Sequence, residues 1–419
     1  MTLRRASMSR TQFVTVVALM LTVASFLVAL CLKTPRPLGQ QPQPDSFEYV
    51  DSAWHLAHGD GFVTSRPFAA HPGLNPPDKP PGYPLLLAPF TRIGRYPDDA
   101  GRGAQMLSLI YPIAVVTAAF AIGGATAALL ATIFIWLSPF ASTSAVLAMS
   151  DAVAAALAVA LMPLVERGGR RASIAAGALA GFGVLVRLTS IAILGALLLT
   201  LKRRERLLAL AGSMPFLAGL AIWQWTNFGA PWRTGYYYWK PNQPLIALHY
   251  IWHAGGSEGA LFPDRLRPHS WPDQPNWILY PAILVGLLWV FGPPLVGALG
   301  LVATVVRRHS PSARLTLWTL VAVTGLQAIY YMQSARFIAA PASMLIVMAT
   351  VLLADLVERL IRTALDGVRT TGTTARGDQP TSMTIVTGPS FASSTSILAP
   401  NTPRSTGTSS ASSSSQKRS

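Results

Sequence analysis

Long apolar stretches broken by short polar clusters set the pattern of this chain. Residues 13–32 carry no charge. At about 1.5 Å per helical residue, that run can cross a hydrocarbon core of about 30 Å. Residues 104–165 hold a single charged side chain, Asp151, so the stretch is expected to fold back into about three spans. Further uncharged blocks occupy 207–225, 278–306, 315–335 and 337–354. The segment 172–201 has Arg187 at its middle. As one tilted helix it would bury that arginine at mid-membrane and invert the sidedness of everything after it. As a hairpin of two short arms it brings Arg187 to the outer surface, and this reading is preferred.

The pattern predicts an all-α polytopic membrane protein with about ten transmembrane helices. A short N-terminal segment, 1–12, precedes a transmembrane unit, 13–357, and a Ser/Thr-rich tail, 358–419, expected to be largely disordered. Two long loops, 33–103 and 226–276, emerge on one side. In the first, Phe47, Val50, Ala53, Trp54 and Ala57 recur at helical spacing, while Glu48, Asp51, Ser52 and His55 lie elsewhere. That spacing predicts a short amphipathic helix at the membrane interface.

Composition supports the class: 12% of residues are charged and 51% hydrophobic, against about 25% charged in soluble domains. The net charge of +16 gathers in Arg4, Arg5, Arg10, the clusters at 166–171 and 202–206, Arg307, Arg308, Arg314 and the tail. All of these fall on the side opposite the two loops. The positive-inside rule makes that side cytoplasmic, with both termini inside and the protein in a plasma membrane, as in a bacterial inner membrane. Topology thus accounts for the basicity without nucleic acid. The N-terminal apolar run exceeds the 7–15 residues usual in a signal peptide and is expected to be a retained anchor. The lone Cys31 rules out an intrachain disulfide and a cysteine zinc site.

Candidate chemistry lies in the first loop. Asp45 precedes the interfacial helix; it can cap that helix or take a proton, and the two roles are compatible. Lys79 is backed by Pro80 and Pro81, which stiffen the loop, and an ammonium so held suits phosphate. Asp151, about one turn inside the outer end of the fourth span, is a functional candidate by its cost there or a helix-start carboxylate. Arg187 and Arg336 stand at the outer ends of spans, where they can snorkel or join Lys79 in a phosphate clamp. Trp225, Phe228, Trp232, Tyr236, Tyr237, Tyr238 and Trp239 form an interfacial belt or a sugar platform. His55, His58 and His71 lack a carboxylate at fixed spacing, so no metal ligands are assigned, although a divalent ion stays compatible with the loop. No P-loop, dinucleotide fingerprint or nucleophile-elbow string is present.

The string Asp45-x-x-x-Tyr49, with Ala53, Leu56, Ala57 and Gly59, then Lys79-Pro80-Pro81-x-Tyr83-Pro84, resembles the first outer loop of GT-C glycosyltransferases. It is most similar to the branch containing the undecaprenyl-phosphate aminoarabinose transferase and the protein O-mannosyltransferases. Ser150-Asp151, Gly181-x-Gly183 with Arg187, the stretch 227–231 and Arg336-Phe337 with Pro341 also resemble features there. The resemblance implies Asp45 as catalytic base with Asp151 assisting, and Lys79, Arg187 and Arg336 on the donor phosphate. Glu48, Tyr49, Tyr83, Trp232 and Tyr236 are then supporting or substrate-binding residues. It implies transfer of a sugar, with inversion, from a polyprenyl-phosphate-linked donor to a hydroxyl acceptor (lipid, glycan or protein) at the outer face, with membrane lipids as surroundings and no cofactor. The chain departs from the family in having Ser46, not an acid, after Asp45, with Glu48 one turn on. The separate C-terminal outer domain of some members has no counterpart in this sequence, so acceptor recognition is not carried over. A lipid-sugar flippase or a non-catalytic assembly subunit are the rival classes. A transporter would show an internal repeat or charges deep in several helices.

Overall fold

The structure is a computed structural model that describes residues 45–66, 73–93, 98–236, 294–329 and 335–374, with scattered residues at 17–35, 246 and 248. The tail beyond 374, most of 237–293, His71, Tyr237, Tyr238 and Trp239 lie outside the described residues, as does most of the span expected at 278–306. The chain divides into a large unit, Met1–Ala364, and a C-terminal unit, Leu365–Ser419. The site lies in the first.

Helices dominate. In chain order they are α1 (Asp45–His58), α2 (Gly82–Ile93), α3 (Asp98–Ser108), α4 (Ile110–Trp136), α5 (Pro139–Ser144), α6 (Asp151–Arg167), α7 (Gly169–Val186), α8 (Ile191–Thr200), α9 (Arg203–Phe228), α10 (Pro294–Val306), α11 (Pro311–Ala328) and α12 (Ala339–Thr374). Among the described residues, β pairing is confined to one bridge, Thr64 with Asn75. Among the described residues, three helical stretches are long and apolar enough to cross a membrane: Ala100–Trp136, which is interrupted at Gly124, Arg203–Phe228 and Arg336–Ala364. The last is buried over 83% of its apolar window, against 28% and 22% for the others. It is therefore the inner helix, around which the more exposed ones stand.

Two reversals set the topology. Inside α4, Gly124 adopts φ 75° and ψ −167°, a conformation open to glycine at little steric cost. The chain doubles back there: Tyr111 and Phe140 stack edge to face at 5.2 Å, and the Ser108 hydroxyl donates to the Ser144 carbonyl at 2.8 Å. The two arms of α4 and then α6 make three successive rods from the stretch 104–165. The second reversal is at Arg187, whose extended backbone (φ −155°, ψ 120°) ends α7. A 3₁₀ turn, Leu188–Ser190, follows, and then α8. Glu205 Oε1 accepts the Gly169 N–H at 3.3 Å, so the chain returns at α9 to the level where α7 began. The segment around Arg187 is the expected hairpin.

Helices α7 and α9 lie side by side through small residues. A Cβ on Gly177 would collide with the Ala209 carbonyl, and one on Gly181 would come within 2.9 Å of the Ser213 backbone. This is the close approach that small residues at four-residue spacing permit between apolar helices. One end of the molecule collects Glu166, which accepts from the Ser312 N–H at 3.1 Å, the Arg307–Asp355 ion pair at 2.7 Å and the Glu205–Gly169 contact. The opposite end collects Asp45, Lys79, Asp151, Arg187 and Arg336. Asp151 is the first residue of α6, not one turn inside it, because residues 145–150 leave the helical path between α5 and α6.

Candidate functional site

The site is built on α1. Tyr49, Val50 and Ala53 of α1 bury against Tyr83 and Leu87 of α2, with the two tyrosine rings edge to face at 5.0 Å. The polar stripe of α1 does not face water: Glu48, Asp51 and Ser52 are all buried, under the loop that leads to Lys79. Asp51 accepts the Ser65 N–H at 2.6 Å and the Thr64 and Ser65 hydroxyls at 2.8 and 2.7 Å. Thr64 in turn pairs with Asn75 at 2.7 and 2.9 Å. Glu48 Oε1 accepts the backbone N–H groups of Asp78 and of Lys79, the latter at 3.2 Å. The acids that the amphipathic pattern sets apart are thus anchors for the lysine loop.

Two glycines close the loop in from either side. A Cβ on Gly82 would sit 2.5 Å from the Leu185 carbonyl carbon at the end of α7. One on Gly235 would meet the Pro77 carbonyl and lie 2.5 Å from the Asp78 Cα. Contacts this short leave no space for a side chain at either position.

At the centre, Asp45 Oδ1 lies 2.9 Å from Lys79 Nζ and Oδ2 lies 3.0 Å from Arg336 Nη2. Lys79 Nζ also lies 3.1 Å from Asp78 Oδ1, donates to the Tyr236 hydroxyl at 2.8 Å and sits 4.5 Å from the centre of that ring. Beside this group, Arg187 Nη1 meets Asp151 Oδ1 at 2.5 Å and the Ser150 hydroxyl at 3.5 Å. Ser150 in turn pairs with the Tyr49 hydroxyl at 2.9 Å. Phe337 joins the halves: the Arg187 and Arg336 guanidinium groups lie 4.7 and 5.5 Å from its ring centre, a cation–π arrangement.

Burial pushes the Asp45 carboxyl up, but the Lys79 and Arg336 cations outweigh it and bring the pKa to about 2. Burial disfavours the Lys79 charge, yet Tyr236, Asp78 and Asp45 raise its pKa well above the ordinary lysine value. Burial and then the Asp78 carboxylate push Glu48 up to about 8. Tyr49 is pushed to about 12, chiefly by burial, and Tyr83 above its ordinary value for the same reason.

The structure therefore gathers Asp45, Lys79, Asp151, Arg187, Arg336, Tyr49, Tyr83 and Tyr236 at one end of the bundle, with Glu48 beneath. Trp232 is not part of the group; it is 78% exposed on the turn after α9. His55 pairs with Asp60 at 2.9 Å, and His58 bonds the Trp54 carbonyl at 2.8 Å. Among the described residues no group of three or more His, Cys, Asp or Glu side chains could hold a metal. Sequence reasoning passed over Asp78 and Arg66. Adjacency to Lys79 could have flagged Asp78; Arg66 left no local signal, because its partners are set by the path of the loop.

No protein-family model matches the chain, and no curated protein matches it in sequence. Solved structures do. ArnT from Cupriavidus metallidurans bound to undecaprenyl phosphate aligns over 87% of this chain with a TM-score of 0.55 and 16% identity. The archaeal oligosaccharyltransferase AglB from Archaeoglobus fulgidus, in complex with an inhibitory peptide and a dolichol-phosphate, aligns over 85% with a TM-score of 0.55 and 13% identity. The chain spans 64% of the length of the first and 52% of the second, less than two thirds of either. Both neighbours are GT-C glycosyltransferases, and the chain has their fold.

Proposed function

We propose that this protein is a membrane glycosyltransferase that moves a sugar from a polyprenyl-phosphate donor to a hydroxyl acceptor at the outer membrane face. The observation that carries the reading is Asp45 held between Lys79 at 2.9 Å and Arg336 at 3.0 Å on a GT-C fold. In this reading the chain crosses the membrane about ten times. α1 lies at the interface, and the basic clusters and both termini face the cytoplasm.

As it stands, Asp45 is a weak base, because both of its oxygens serve cations. A donor phosphate entering between Lys79 and Arg336 competes for those cations. As they turn to phosphate, Asp45 keeps its burial and loses its counter-charges, so its proton affinity rises when the donor arrives. The acceptor oxygen then attacks the anomeric carbon, and its proton passes to Asp45. The carbon–oxygen bond to phosphate breaks on the opposite face, with inversion. The electron pair stays on the phosphate oxygen, whose charge Lys79 and Arg336 meet, with Arg187 close by. Asp151 holds Arg187, and through Ser150 it is linked to Tyr49. Tyr236 orients Lys79.

The test is Asp45→Asn in proteoliposomes. Transfer is expected to fall by about 10²–10⁴, the usual worth of general-base assistance. Binding of undecaprenyl phosphate should be as tight as in the wild type or tighter, since a competitor for the two cations has gone. Unimpaired transfer would remove Asp45 from the mechanism.

A further inference from the structure

The lysine that the proposed reaction needs for phosphate is crowded by acid. Lys79 Nζ faces Asp78 at 3.1 Å as well as Asp45 at 2.9 Å, and Glu48 lies directly beneath the Lys79 backbone. Those two carboxylates on Lys79 would draw the ammonium inward and compete with any entering anion. Arg66 counters that pull. A single nitrogen, Nη1, lies 3.0 Å from Glu48 Oε2 and 3.4 Å from Asp78 Oδ2, on the oxygens that do not meet the Asp78 N–H or the Lys79 ammonium. Its backbone is fixed independently: Asp51 grips Ser65 next door, and the Arg66 N–H reaches the Thr64 hydroxyl at 3.2 Å. The guanidinium ties the outgoing strand of the loop (64–66) to the returning one (77–79) across α1.

We infer that Arg66 is a positioning residue for the donor phosphate. Through Glu48 and Asp78 it fixes the lysine loop, and at Asp78 it neutralises carboxylate charge that would otherwise hold Lys79; it does not meet the donor itself. The inference rests on the reading of Lys79 as the phosphate-binding lysine. It gives the burial of Glu48 and Asp78 a purpose: they order the loop, and Arg66 keeps Asp78 from disarming the lysine.

The experiment is a double-mutant cycle on the full chain in nanodiscs, with undecaprenyl phosphate as the probe and thermal unfolding as the check on folding. Arg66→Ala should weaken binding about tenfold, with Arg66→Lys intermediate because one ammonium spans the two carboxylates less well than a guanidinium. Lys79→Ala should weaken binding at least as much. Adding Arg66→Ala to Lys79→Ala should cost nothing further, since Arg66 acts only through Lys79. Independent, additive losses would overturn the inference and mark Arg66 as a direct phosphate contact or a general prop. Full affinity in Arg66→Ala would overturn it equally. If Arg66→Ala does not fold, Arg66→Gln carries the same cycle. A wild-type protein that does not bind undecaprenyl phosphate, or binds it regardless of Lys79→Ala, sinks the phosphate reading and this inference with it. A Lys79-dependent site with additive Arg66 losses sinks the inference alone.

Discussion

Asp45 shows how far a single side chain can be read in advance. Its place before a helix and in one loop with a proline-backed lysine was legible, because both partners sit within a short stretch of chain. Its second partner, Arg336, is 291 positions away and was legible only as a cation at the right end of a span. The ion pairs carry a pH signature. The Asp45 pKa falls from 3.8 to about 2 on folding, so its contribution is fully present above about pH 4 and is lost as pH drops through about 2. It is worth on the order of 2 kcal/mol. Hydrogen exchange in detergent should show the start of α1 and the 335–338 turn losing protection together as pH falls from 5 to 2. Protection unchanged over that range would argue against the pairing. Asp78 was legible only as a neighbour of Lys79, and Arg66 not at all, since a charge in a loop looks the same in sequence whether it is solvated or buried.

Among the elements, the helix–loop unit around Lys79 depends on close backbone approach as well as on its side-chain anchors. Gly82→Ala should push α2 away from the end of α7 and separate Lys79 from Arg187. The expected result is destabilisation of about 1–3 kcal/mol, typical of overpacking, with weaker donor binding. Gly195→Ala in α8, where an added Cβ meets nothing within 4 Å, is the control and should leave the melting temperature unchanged or slightly raised. Equal effects at the two sites would refute the role of Gly82. The hairpin at Arg187 was readable from the sequence because a charge marks its turn. The reversal at Gly124 was readable only as a length argument, since a Gly-Gly pair within an apolar run does not declare its backbone angles. The burial of the acidic stripe of α1 was hidden because amphipathic spacing separates two faces without saying what covers each.

Over the large unit, charge is sorted by end: a mixed cluster of acids and cations at one, arginine-rich turns at the other. Labelling of single cysteines in a Cys31→Ser background tests whether those ends face different compartments. Asp60→Cys and Trp232→Cys should react with an impermeant reagent from one side of sealed vesicles, and Lys202→Cys and Arg308→Cys only after lysis. Reaction of all four from the same side would overturn the topology. The fold class was legible from apolar run lengths. The inner position of the last helix was not, because a buried apolar helix and a lipid-facing one have the same composition.

That inner helix follows directly on Arg336 and comes near the end of the large unit. The cluster therefore closes late in synthesis: Asp45 and Lys79 leave the ribosome long before Arg336, which lies 291 positions after Asp45. A chain cut short before Arg336 would carry Asp45 and Lys79 without the guanidinium that the folded protein sets 3.0 Å from the Asp45 carboxylate.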